Sequence, residues 1–213
     1  MAHNIENSKN TLTALLQKVQ DQAARSADFL APTNNLQKVT SENGAPGLVI
    51  EASRGVPTKH FKINDTAFGQ MATHAGIDTR TARRLQLGYS KQYDNLLNAI
   101  WDKEATVRMI RTHLNIEKEA GTVGDDGVVR AWVSDKFKTF DNSNLLESIL
   151  PPLMEKNLQV VSADLSEKRM YLRLKSLDQL GTGANVGDHM ANGIGFGNSE
   201  VGAGSVNVHQ IAW

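Results

Sequence analysis

The sequence predicts an α+β fold: an antiparallel sheet of successive hairpins with helices packed on it, preceded by an N-terminal amphipathic helix. Three observations predict it. Apolar residues recur at three- and four-residue steps near the start and again between residues 64 and 103. From Ala105 the period changes to alternation. The alternating segments are separated by turns rich in Gly, Asp and Ser.

Element by element, Ser8 is a suitable N-cap for a helix to about Arg25, with Leu12, Leu15, Leu16, Val19 and Ala23 on one face. Leu30 to Gly47 mixes Pro, Asn and Gly with few apolar residues and reads as a loop broken by at most one short strand, near Leu36 to Thr40. Short strands are expected at Leu48 to Ala52 and Lys59 to Ile63, around a turn at Arg54 to Pro57. Asn64 or Asp65 caps a helix to Ala75 that Gly76 stops, and Asp78 or Thr79 caps a second through Leu87. A third helix, about Lys91 to Lys103, offers Leu96, Leu97, Ile100 and Trp101 to a core.

Two strands, Val107 to Arg111 and Val128 to Val133, follow as a hairpin around a Gly- and Asp-rich loop. Asp141 or Ser143 opens a helix that Pro151-Pro152 should end or bend sharply. Leu158 to Asp164 and Arg169 to Leu177 alternate on either side of Ser166-Glu167-Lys168, with Leu172 and Leu174 on one face and Tyr171, Arg173 and Lys175 on the other. The final segment alternates but carries Gly187, Gly193, Gly195, Gly197, Gly202 and Gly204, so something must approach its backbone closely: a neighbouring strand, a helix or a ligand. The organisation expected is a helix and irregular arm over 1–53 and one α+β domain over 54–213. Trp213 falls inside an apparent strand, so the domain is expected to continue.

The 213 residues, 40% of them hydrophobic, are enough for a real core. No apolar run is long enough to span a bilayer and the start has no signal-peptide order, so no membrane partner and a cytoplasmic location are expected. The absence of cysteine excludes disulfides, a thiol nucleophile and Cys-based zinc sites. Net charge is zero, but residues 54–111 hold ten Lys and Arg against five acids, while 112–165 hold five against nine. A basic stretch of this kind serves either a nucleic-acid face or a solvated helix surface.

Catalytic patterns are weak. None of the six histidines (3, 60, 74, 113, 189, 209) forms a zinc-binding helical motif. His189 and His209 with Asp188 and Glu200, or Asp135, Asp164 and Glu200 together, are the arrangements from which a divalent-ion site would have to be built, and turn-capping explains Asp135 and Glu200 equally well. Ser134 and Ser199 lack a nucleophile elbow. No metal or cofactor is assigned.

Binding patterns are more numerous. The spacing of Ala72, Gly76, Ile77 and Ala82 resembles a helix-turn-helix, which would place Arg80, Arg83 and Arg84 where a DNA reader makes contacts; any tight helical hairpin wants the same residue types. Arg108, Arg111, Arg130, Lys136 and Lys138 add cations, and Tyr89, Phe137 and Tyr171 are stacking candidates for single strands. With zero net charge, tight binding would require a homo-oligomer that lines up several basic segments.

Two segments, RAWVSDKFKTFDNSNLLESILPPL at 130–153 and GDHMANGIGFGNSEVGAGSVNV at 187–208, resemble an uncharacterised family of phage- and plasmid-borne proteins. The most specific pieces are the corner at Ser134-Asp135 and the turn Asn198-Ser199-Glu200. The resemblance covers most of 60–213 and implies a mobile-element setting; at the level of architecture alone, the chain is also similar to phage single-strand annealing proteins of the RecT and Erf types. The expectation is a DNA-binding protein of recombination or replication, single strands favoured. A structural or host-interaction protein is the alternative, and a metal-dependent nuclease the third.

Overall fold

The computed structural model describes residues 2–51, 57–115, 126–156, 158–177 and 192–212. Its elements, in chain order, are α1 (Ala2–Arg25), β1 (Ser26–Pro32), a 3-10 turn (Thr33–Asn35), β2 (Leu36–Thr40), β3 (Pro46–Ile50), β4 (Lys59–Ile63), α2 (Asp65–His74), α3 (Thr79–Gly88), α4 (Ser90–Glu104), β5 (Val107–Leu114), β6 (Gly127–Ser134), α5 (Asn142–Met154), β7 (Leu158–Leu165), β8 (Met170–Ser176), β9 (Asn192–Asn198) and β10 (Asn207–Ala212). The fold is α+β and dominated by antiparallel pairing, as the alternation required. It divides into two compact units, Arg25–Phe137 and Met1–Ala24 with Lys138–Trp213.

The unit 25–137 is a six-stranded sheet in the order β1-β5-β6-β4-β3-β2. Every neighbouring pair is antiparallel except β4 with β6, which run parallel. One face packs on the helices through Leu36, Leu48, Phe61, Ile110 and Trp132 against Phe68, Met71, Tyr93, Leu97 and Trp101. Trp101 and Trp132 stack with ring centroids 4.8 Å apart. Burial of each such side chain contributes about 1.5–3 kcal/mol. Leu96, expected in this core, is exposed instead, because it points away from the Leu97 and Trp101 stripe of α4.

The strands expected near Leu36 to Thr40 and from Leu48 form as β2 and β3. The irregular arm expected ahead of them is instead a further strand of the sheet, β1, which pairs with β5 from Ser26↔His113 to Pro32↔Val107. Local composition hides such a strand because its partner lies about eighty residues away, and pairing overrides propensity.

In the other unit, the strands run β10-β9-β8-β7, each antiparallel to the next in sequence. Leu15 and Val19 of α1, with Leu145 and Leu146 of α5, lie in one apolar cluster with Met170, Leu172, Leu174 and Phe196 of the sheet. Helix α1 begins at Ala2, ahead of the expected Ser8 cap. Helix α5 carries Pro151 and Pro152 inside its last turn where a stop was expected. Both prolines are solvent-exposed there, and helix continues to Met154. The expected turn at 54–57 falls largely on residues 52–56, and these, the loop at 116–125, Gly187, His189 and Trp213, lie outside the described residues.

Candidate nucleic-acid interface

The helix pair forms as its caps dictate. Asn64 Oδ1 accepts from Ala67 N at 2.9 Å to start α2, and Gly76, at φ 70°, makes the left-handed turn after it. Asp78 Oδ1 accepts from Thr81 N at 3.0 Å to start α3, and that hydrogen bonding to Thr81 holds its carboxyl below the usual range. Gly69 lies where the two helices meet, and a Cβ there would be in contact with the Thr79 side chain.

On α3 the inward positions are Ala82, Leu85 and Gln86, two of them buried. The outward positions at three- and four-residue steps are Arg80, Arg83, Arg84 and Leu87, all exposed. Arg83 Nη1 donates to Asp65 Oδ1 at 3.1 Å and its guanidinium sits 5.7 Å from the Phe68 ring centroid, so its direction is set. Leu87 is 89% exposed and Tyr89, at the junction with α4, 62%. The helix thus presents three guanidiniums ending in an apolar and aromatic tip. Sequence spacing located the arginines. Leu87 was missed because a leucine at a helix end reads as core, although its four-residue step from Arg83 puts it on the cationic face.

Behind this face α3 and α4 are locked to β2 by a buried charge. Lys38, with a fully buried side chain, donates through Nζ to Asp94 Oδ1 at 2.7 Å and Gln86 Oε1 at 2.9 Å. Thr40 Oγ1 also donates to Asp94 at 3.0 Å, and Asn98 bonds the Lys38 backbone on both its N–H and C=O. Burial lowers the Lys38 pKa, opposed by the Asp94 hydrogen bond and charge. Burial, and after it the charge of Asp94, pushes the Tyr93 phenol up to about 12. Position 38 showed nothing of this in sequence, since a lone lysine in an alternating strand reads as solvated.

The other expected cations do not join the α3 face. Arg111 and Arg130 are buried in the sheet, and Arg111 Nε donates to Asp28 Oδ1, its cross-strand neighbour, at 2.9 Å. Arg108 is half-buried, and its charge, after burial, lowers the pKa of His74. Burial first, then Arg130, Arg25 and Arg111, pushes His113 down to about 3. These arginines are sheet residues, and the alternation that exposed them on paper carries no information about which face is covered. Lys136 and Lys138 are exposed after β6, and Phe137 between them is half-buried.

The corners at Ser134-Asp135 and Asn198-Ser199-Glu200 are structural joints. Glu200 Oε1 accepts from Asn142 N at 2.7 Å, at the first residue of α5. Asn198 Nδ2 donates to Phe140 O and Asn142 Oδ1 at 2.8 and 3.0 Å. Ser199 Oγ donates to Lys168 O at 2.7 Å and accepts from Ala203 N at 2.9 Å. At the other corner, Ser134 O accepts from Phe137 N at 3.0 Å, with Asp135 exposed in the turn. Among the described residues no three His, Asp or Glu side chains gather as a metal-binding group.

No helix among the described residues is long and apolar enough to cross a membrane. Compared with family models, with curated proteins and with solved structures, the chain matches none.

Proposed function

We propose that this chain binds DNA without acting on it chemically, as a phage- or plasmid-encoded component of recombination or replication. The observation that carries the reading is the outward face of α3, where Arg80, Arg83 and Arg84 stand together on a helix whose other face is anchored by Ala82, Leu85 and Gln86. Guanidiniums fixed on a rigid element suit phosphate oxygens, and the Asp65 and Phe68 contacts of Arg83 reduce the entropy lost on binding. The proposed contact leaves out Arg111 and Arg130, which are buried, and Arg108, which is half-buried.

The test is anisotropy of a labelled oligonucleotide against a salt series. Affinity should fall steeply with salt, and R80E/R84E should lower both the affinity and the salt slope, the latter by about 1.4 to 2 for two lost phosphate contacts. Salt-independent binding, or none at low salt, overturns the reading. A second reading, a structural or host-interaction protein of the element, is favoured by the exposed Leu87 and Tyr89 tip. Self-assembly with no oligonucleotide affinity would select it.

A further inference from the structure

The glycines of β9 have a specific occupant. Register places Gly197 beside Asn207 and Gly195 beside His209 on β10. A Cβ on Gly195 would lie 2.4 Å from His209 Nε2, and one on Gly197 2.8 Å from Asn207 Nδ2. The side chains of β10 therefore lie across β9 on the space its glycines leave, and the imidazole rests on the sheet while His209 remains exposed.

This happens on the face opposite the α1 and α5 cluster. The same register aligns Tyr171 with Gly197, Arg173 with Gly195 and Lys175 with Gly193. Across the sheet run three rows: Tyr171, Gly197, Asn207; Arg173, Gly195, His209; Lys175, Gly193, Ile211. With strands about 4.8 Å apart, the β8 and β10 backbones of each row lie about 10 Å from one another, and the His209 and Asn207 side chains reach over the glycines toward Arg173 and Tyr171. Arg169 Nη1 donates to Tyr171 Oη at 3.0 Å, and its Nε and Nη2 donate to Ala203 O, so the ring end is held. Strands β8, β9 and β10 contain no acidic residue, Asp164 of β7 is the exposed cross-strand partner of Tyr171 at the end of its row, and Arg173, Asn207 and His209 are exposed.

We propose that this open sheet face binds single-stranded DNA, its bases stacking on His209 and Tyr171 and its phosphates paired with Arg173. The cations Arg173 and Lys175 of this face, against the one carboxylate of Asp164 beside Tyr171, fit a polyanion, and rings spread on a flat face need bases that are not already stacked in a duplex. The surface is independent of α3; only the choice of DNA over RNA rests on the reading above.

The experiment uses the full chain and three probes: oligothymidylate, oligouridylate of equal length and a DNA duplex. Y171A/H209A should weaken oligothymidylate binding at least about tenfold and leave the duplex unaffected. Y171F, which keeps the ring, should retain the affinity, and R173E should lose it. Unchanged oligothymidylate affinity in Y171A/H209A, or equal loss in Y171F, overturns the stacking surface. Tighter binding of oligouridylate overturns the DNA assignment. Loss of binding in R80E/R84E with the Tyr171 and His209 variants unaffected leaves the α3 reading standing and this one fallen, and the reverse pattern does the opposite.

Discussion

The two sheets differ in how they are specified. The six-stranded sheet of 25–137 is assembled from distant segments, with β5 and β6 between β1 and β4, and a buried lysine ties its β2 to α3 and α4. The four-stranded sheet of the other unit is a meander in which every strand pairs with its neighbour in sequence, and an apolar cluster joins it to α1 and α5. In the meander each turn fixes the next register, so local pattern suffices. In the six-stranded sheet, position has to be enforced by contacts that span the chain, and the Lys38 network spans more than fifty residues.

The largest expected effect tests that enforcement. Lys38→Met leaves Asp94 buried without its cation and should cost about 3–5 kcal/mol in urea denaturation. Lys38→Met with Asp94→Leu removes both charges and should recover most of the loss. A single variant as stable as the parent would show that the network does not hold the helices on β2.

A second pair of substitutions sharpens the contrast through glycine. Gly127 at the start of β6 has φ 130°, and a Cβ there would lie 2.0 Å from the backbone oxygen of His113. Neither strand can move without disturbing the sheet, so Gly127→Ala should cost about 3 kcal/mol or more. Gly195→Ala also closes a gap, but its obstacle is the His209 side chain, which can swing outward. The cost should be about 1 kcal/mol and should fall when His209→Ala is combined with it. Thermal denaturation of the three variants reads the difference, and equal losses at the two glycines would erase it.

The same contrast explains what was legible in the sequence. The β7–β8 hairpin was readable down to the faces of Leu172 and Tyr171, because turn and partner lie within a few residues. The helices α2 and α3 were readable because Asn64, Gly76 and Asp78 mark their ends. Strand β1 was not, since Ser26–Pro32 contains no alternation that stands out and its partner is β5. In the candidate site, Arg80, Arg83 and Arg84 were identifiable because helical period alone decides which face is wet. Arg111 and Arg130 were misplaced because a strand has two faces and periodicity does not say that both are covered. The β9 glycines announced a close approach, and only register revealed that the approaching groups are Asn207 and His209.

The smallest effect separates the units by pH. His113, in the six-stranded sheet, is held neutral by burial and by Arg130, Arg25 and Arg111, with its pKa down at about 3 against an ordinary 6.5. Between those values the unfolded chain binds the proton more readily than the folded one, so stability rises with pH across the window and is complete above about 6.5. It is lost progressively as pH falls. His74 is shifted in the same direction by burial and Arg108, so it adds to the loss and remains when His113 is replaced. The melting temperature of the parent should therefore drop by a few degrees more than that of His113→Gln between pH 7 and pH 5. The extra drop should appear in tryptophan fluorescence, because Trp132 belongs to the sheet that His113 occupies and Trp101 of α4 stacks on it. If the parent and the variant lose stability in parallel, burial and the arginines around His113 do not hold it neutral.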